Sequence, residues 1–468
     1  MKLVVDEDQR AACAQATTQL FEWAARAAAE ELPEAMRRRA ALILADDIAA
    51  MAAATGEPQV REVQSRLSRA SKGREATVFA PGIGRLDRIS AAVANGMAAT
   101  WCELDEGLRS VPCHAGAYVL PALLAESEAR NLTLSEMLRK LAVAYEVTAR
   151  IASAFPFSSM RVHPHAAFAT IGAACGAALA RGADAKLLAS AVTGAASMTF
   201  AGPYAHAIDG ALVRNAWTSA GAWIGLQSAD WAEAGIGGIA HGPYDTFVGC
   251  LGADCVPDAL TRDLGTRWLA AEGYHKVFAC CQYAHSAIEA TLELRKRLEA
   301  KGRSPDDLEA ITVETHPRGE TLTTVEPATV LAAKFSMPHA LAASALIGTG
   351  GQEAFAAETL DDPRIAALRR QVRLSPHPDI RPWPNDRPAR VHWRFADGEV
   401  WSAECASARG GADQPFDEPT LMAKIETNAS VVPGLSPLLV SIARDSAGIG
   451  GNRWLRLIED TISRSNER

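Results

Sequence analysis

The sequence predicts a mainly α protein: a large all-helical domain interrupted by a smaller α+β domain. Three observations carry this. Ala-rich segments keep helical spacing through the first 260 or so residues. Aromatic residues are only 6% of the chain, which favours closely packed helices over a β-sandwich. After about residue 260 the texture turns strand-like in places, and helical texture returns from Pro415. The expected bounds are 1–262 for the first part of the helical domain, 263–408 for the α+β domain and 409–468 for the return.

Residues 9–53 read as helix, with Leu42, Ile43, Asp46, Asp47 and Met51 at helical spacing. Residues 57–71 form a second helix, and 73–84 a Gly-containing connection. Helix resumes over 86–102, apolar at Ile89, Val93, Met97 and Trp101. A break follows from Glu103 to Cys113, holding Gly107 and Pro112. Helices are expected over 116–130 and 134–153, the second opened by Thr133 and Glu136 as a capping box. Residues 165–181 and 184–199 are Ala/Gly-rich helices whose small residues allow close approach, so they belong centrally. Leu187 to Ile208 reads as buried helix and bend; a membrane span would be richer in Leu, Ile and Phe.

Leu308 to Thr315 alternates as a strand, and Val391 to Ala403 as two strands around Ala396-Asp397-Gly398, a hairpin signal. Between them lie helical stretches 338–347 and, just before, 283–300, then a Pro-rich piece from Pro376 to Pro388. Asp417-Glu418-Pro419 opens a further helix with acidic residues at its N-terminus.

The chain has 468 residues, 48% hydrophobic, enough for a large core and incompatible with disorder as the main state. Its 47 basic against 55 acidic residues leave a net charge of −8, so no nucleic-acid partner is expected. The nine cysteines include no C-x-x-C pair, and adjacent Cys280 and Cys281 suit neither a zinc knuckle nor an easy disulfide. Met1 to Arg10 is charged and no apolar run follows, so a reducing cytoplasm is the expected compartment, with no membrane partner. There is no G-x-G-x-x-G after a strand, no P-loop, no G-x-S-x-G and no H-E-x-x-H, which argues against nucleotide-dependent chemistry and standard serine or zinc hydrolysis.

Four groups of residues can carry chemistry. Glu103, Asp105 and Glu106 crowd three carboxylates into four positions, with Arg109 and His114 nearby. Mutual repulsion raises a pKa and an imidazole can share the proton, although from spacing alone a solvated acidic loop with an incidental histidine is the plainer reading. His163-Pro164-His165 precedes an apolar helix. A histidine there tends to be neutral and able to accept a proton, and two flanking a proline can hold a metal, a helix cap being an equally simple reading. Lys276 stands near Cys280, Cys281 and His285 in an otherwise apolar stretch, where a lysine can bind a carboxylate. For the cysteines, small apolar packing is the simpler role. Arg214 precedes a small-residue helix, and a bidentate carboxylate clamp is what arginine does best.

In this order the pieces resemble the 2-methylcitrate dehydratase (MmgE/PrpD) family. Ala94-Asn95-Gly96-Met97-Ala98, then Glu103-Leu104-Asp105-Glu106-Gly107, then Cys113-His114-Ala115-Gly116 are similar to its N-G-x-A, acidic and H-P-(S/G) motifs, with Ala115 where the family has Pro. Pro121 to Glu126, Ala144-Tyr145-Glu146-Val147, His163-Pro164, Lys276 to Cys281 with His285, and Ala333-Lys334-Phe335-Ser336 continue the likeness. The resemblance implies a helical domain built from both chain ends, an inserted α+β lid domain, no cofactor and a small polycarboxylate substrate. It places His114, His163 and Lys276 on active-site positions, Glu103 where many members have Asp, Cys281 where some have His, and Arg214 where better-known members have Lys.

The expected function is therefore a cofactor-independent, dehydratase-like lyase acting on a small di- or tricarboxylic acid. His114 or His163 would serve as acid/base, with Glu103 and Asp105 as orienters and Arg214 and Lys276 as carboxylate clamps. Cys281, His285, Lys334 and Ser336 are expected to line the substrate, with no metal and a homodimeric assembly. The alternatives are an epimerase or isomerase, a decarboxylase, or a member that binds an acid without turnover.

Overall fold

The Ala-dense run from residue 9 to 53 folds as two helices, α1 (Glu7–Ala27) and α2 (Glu34–Ala53), rather than one. Pro33 is the reason: it stands at the N-cap of α2, and a proline disfavours helical geometry in the residue before it. In this computed structural model residues 6–445 and 448–466 are described, so the expected outer bounds at Met1 and Arg468 lie outside the described residues.

Next come α3 (Pro58–Ala70), the short pair β1 (Ala76–Thr77) and β2 (Arg85–Leu86), and α4 (Arg88–Ala99), capped where Asp87 accepts from the Ser90 amide. The two-residue strand β3 (Gly107–Leu108) interrupts the expected loop. Helices α5 (Ala115–Ala129) and α6 (Leu134–Ala154) follow, and Thr133 with Glu136 forms both bonds of the capping box. Then come α7 (Pro164–Ala180), α8 (Ala185–Ser197), α9 (Ala205–Ile208), α10 (Val213–Glu233) and α11 (Gly242–Tyr244).

Helix α7 is buried along its whole length between α5 and α10. Glycine makes this possible: a Cβ on Gly221 or Gly225 of α10 would stand 2.6 or 2.4 Å from the Cβ of Ala169 or Ala173. The homodimer is expected to rest on an Ala/Gly-rich apolar surface around residues 165–199, but α7 is interior along its whole length and offers none. Exposed apolar side chains sit instead at Val213 and Trp223 of α10 and at Ile236 and Ile239 beyond it.

The second half opens with β4 (Gly273–Tyr274), which pairs antiparallel with β3, Gly107 opposite Tyr274 and Leu108 opposite Gly273. It continues through α12 (His285–Ala300), β5 (Leu308–Thr315), α13 (Val330–Lys334), α14 (Met337–Ile347), α15 (Ala357–Asp361), α16 (Pro363–Arg369), β6 (Val372–Pro376), β7 (Ala389–Phe395) and β8 (Val400–Cys405). The sheet runs β6-β5-β7-β8, with β5 and β6 parallel and the other pairs antiparallel. Ile311, Val313, Val391, Trp393, Phe395 and Trp401 are buried on it, and α12 packs on β7 and β8. Finally α17 (Glu418–Ala429) and α18 (Leu435–Ala443) pack on α2, followed by α19 (Trp454–Asn466). Among the described residues no helix is long and apolar enough to cross a membrane.

Candidate active site

The acidic segment after α4 is buried, which corrects the solvated-loop reading: Glu103, Asp105 and Glu106 are all sealed from solvent. Glu103 adopts a left-handed backbone (φ 56°), a conformation costing a non-glycine residue on the order of 1 kcal/mol. The β3–β4 pairing brings Lys276 onto this segment. Its Nζ lies 3.5 Å from Glu103 Oε2 and 3.4 Å from Asp105 Oδ1. Arg214, on the first turn of α10, reaches Glu103 Oε1 at 2.5 Å. Its other N–H groups face Asn215 Oδ1 at 3.0 Å, the Thr100 carbonyl at 3.4 Å and His163 Nε2 at 3.3 Å.

His114 starts α5 and turns Nδ1 to Asp105 Oδ2 at 2.6 Å and to the Glu106 carbonyl at 2.9 Å. Both partners accept, so Nδ1 carries a proton. Burial opposes ionisation of Asp105, but Lys276 and His114 outweigh it and hold the carboxyl below its ordinary range. Burial works against the Lys276 ammonium as well, yet Asp105 and Glu103 keep it firmly protonated. His163 caps α7, its Nδ1 accepting from the His165 amide at 3.2 Å, and stacks on Tyr204. Burial first, then Arg214, pushes its pKa well below the histidine range, so it is neutral. The sequence reading assigned that neutrality to the helix terminus; burial is the larger cause. With donors facing both nitrogens, this neutral ring can accept from only one of them.

The remaining expected residues stand further out. Lys334 Nζ points to the Trp101 carbonyl at 3.5 Å, and its own carbonyl accepts from the Cys281 amide at 3.0 Å. The Cys281 thiol lies beside Tyr204, and burial raises its pKa to about 11, so it is neither a thiolate nor an acid at neutral pH. Ser336 caps α14, bonded to the His339 amide and the Thr324 carbonyl. His285 Nε2 is satisfied by the Cys280 carbonyl at 3.3 Å, with Phe278 against its ring. Arg109 turns away to Asp386 and Ser407. The structure thus gathers Glu103, Asp105, His114, His163, Arg214 and Lys276, and leaves Ser336 and His285 in backbone contacts. Among the described residues no group of three or more His, Cys, Asp or Glu has metal-binding geometry.

Sequence reasoning missed the layer beneath. Asp46 of α2 meets His275 Nδ1 at 2.6 Å and Lys424 of α17 at 2.5 Å, and Lys424 also donates to the Leu104 carbonyl at 2.8 Å. Burial opposes its charge, but Lys424 and His275 prevail and lower its pKa. Asp47 accepts from the Glu106 amide, and Glu106 accepts from the Gly116 amide and Tyr145 hydroxyl. Burial raises the pKa of both, reinforced at Asp47 by Glu106 and Asp46 and opposed at Glu106 by Arg39 and the bonds from Gly116 and Tyr145. The signal was present as two adjacent aspartates inside an apolar helix, which a buried network explains and a solvated face does not.

The chain belongs to the MmgE/PrpD family. Residues 18–253 match the family's N-terminal domain and residues 278–436 its C-terminal domain. Among curated proteins it is similar to a cis-aconitate decarboxylase of Aspergillus terreus, 26% identical over 308 residues, 60% of either chain. A second one, from strain NIH 2624 / FGSC A1156, is 26% identical over 299 residues, again 60% of each. The matches span less than two thirds of those relatives.

Proposed function

We propose that the protein is a cofactor-independent lyase that dehydrates a small di- or tricarboxylic acid. One observation carries the reading: a histidine with a free Nε2, oriented by a carboxylate, shares a buried site with two fixed cations. His114 Nε2 takes the proton from the carbon next to a substrate carboxylate. Asp105 holds the resulting imidazolium, and Lys276 and Arg214 stabilise the charge that moves onto the carboxylate oxygens. The β-hydroxyl then leaves with the proton held by His114, so the net loss is one water. Arg214 enters this role by exchanging part of its contact with Glu103 for the substrate. An acceptor arriving beside Arg214 and His163 also relieves the crowding of donors there.

A decarboxylation is the second reading, and the likeness to cis-aconitate decarboxylase favours it. Here carbon dioxide leaves, and the carbanion takes a proton from Nε2 of the same histidine, which enters this reaction as the imidazolium and regains its proton from solvent. The test is NMR of a panel of C4–C6 hydroxy and unsaturated polycarboxylates, cis-aconitate included, with the protein in heavy water. Loss of water supports the first reading and loss of carbon dioxide the second. Deuterium exchange without loss of a group would replace both by an epimerase, and shifts without exchange by a binding protein.

A further inference from the structure

His165 is the one histidine of the H-P-H motif that the mechanism leaves unused. It is fully buried on the first turn of α7. Its ring packs edge-on against both site histidines, with centroids 5.0 Å from His114 and 4.5 Å from His163. Its Nδ1 lies 2.7 Å from the Tyr118 hydroxyl of α5, while its buried Nε2 has no hydrogen-bond partner among the described residues.

The Tyr118 contact decides the tautomer. If Nδ1 held the proton, it would donate to Tyr118 and leave both the phenolic O–H and the Nε2 lone pair unsatisfied. If Tyr118 donates to Nδ1, only the Nε2–H is left over. An unsatisfied buried polar group costs roughly 1–3 kcal/mol, so the second arrangement is preferred. The ring is then a neutral donor. A second proton is disfavoured by burial and by Arg214, with His163, His114 and Lys276 as the other groups acting on it. Tyr118 is itself kept neutral, first by burial.

We propose that the Nε2–H of His165, held in that tautomer by Tyr118, donates to a hydroxyl or carboxylate oxygen of the substrate and is a specificity-determining contact. This rests on the polycarboxylate reading above. A site with a buried donor discriminates strongly against analogues that lack the matching acceptor, because the donor is then stranded. Together with Arg214 it makes one side of the site a receiver of oxygen rather than of a cation.

Asparagine and glutamine separate the two nitrogens. H165N places an amide oxygen near the Nδ1 position and keeps the Tyr118 bond, but removes the Nε2 donor. H165Q places an amide N–H near the Nε2 position. Calorimetric titration with the polycarboxylate panel is expected to show H165N binding its best acid about 10- to 100-fold more weakly than the unaltered protein. H165Q is expected to recover most of that loss, and both variants to keep the parent circular dichroism spectrum. Long-range proton–nitrogen NMR should find His165 as the Nε2–H tautomer from pH 5 to 8. H165N binding within threefold of the parent would overturn the proposal. So would an Nδ1–H tautomer, whatever the titrations show. If the parent protein binds no acid while His165 is the Nε2–H tautomer, the polycarboxylate reading falls and the substrate contact falls with it. If the parent binds and only H165N is indifferent, the reading stands and His165 has no part in it.

Discussion

Arg214 joins four partners: a carboxylate, an amide oxygen, a backbone carbonyl and an imidazole. Lysine supplies one charge but no planar fork, so Arg214→Lys should keep the charge on Glu103 and lose the hold on His163. Arg214→Ala leaves the buried Glu103 carboxylate with Lys276 as its remaining cation, and should lower stability by about 3 kcal/mol and turnover efficiency roughly 30- to 1,000-fold. Urea unfolding and kcat/KM on the best substrate measure the two. An alanine variant within threefold of the parent would remove Arg214 from the mechanism. His285 provides a second test. Burial, then Lys276, lowers its pKa from 6.5 to about 3, whereas the unfolded chain titrates it near 6.5. Below that pH the unfolded state binds a proton that the folded state refuses, so this contribution to stability is present above pH 6.5 and fades as pH falls. Between pH 6.5 and 5 the parent should lose about 2 kcal/mol relative to His285→Gln, read from urea midpoints at each pH. A pH-independent difference would mean that His285 is charged or exposed.

At the scale of elements, two residues of pairing decide where Lys276 sits. Gly107 is the tight point: a Cβ there would stand 2.7 Å from the Tyr274 hydroxyl and 3.2 Å from His114 Nδ1. Gly107→Ala should therefore cost about 1–3 kcal/mol and reduce kcat at least tenfold, since the clash lands on the His114–Asp105 contact. Thermal unfolding and steady-state kinetics check it, and unchanged kcat would show that β3 and β4 do not set the site. Much of this level was legible. The capping box, the strand at Leu308–Thr315 and the hairpin around Gly398 follow from local chemistry and appear as expected. Strand β6 was not legible. It has one buried residue, Val372, and runs into the Pro-rich stretch, so neither alternation nor β-branched density marks it. It is a strand because β5 offers it a parallel edge, which is a tertiary fact. The same holds for Asp105 and Lys276: each was legible as a residue, but their meeting was not.

For the whole molecule, two expectations remain open to direct measurement. Exhaustive chelation should leave turnover intact, because Arg214 and Lys276 beside His163 repel a divalent cation. A loss restored by one specific ion would contradict this. Sedimentation at micromolar concentration should show a homodimer. The exposed Val213, Trp223, Ile236 and Ile239 now motivate it, in place of the α7 surface that the fold buries. A monomer throughout would contradict this expectation. The helical class was legible because periodicity is local. The buried charge network was not, since its members come from α2, the β3 segment, His275 and α17.

The β3–β4 seam also fixes an order in time. Asp105 and Lys276 are 171 positions apart, and only that short ladder holds their two segments in register by strand pairing. Helices form from neighbours within microseconds, whereas a contact of such long range must first close a large loop. During refolding, helical signal is therefore expected to return early and the Asp105–Lys276 contact late, so stopped-flow ellipticity should recover before binding of a polycarboxylate does.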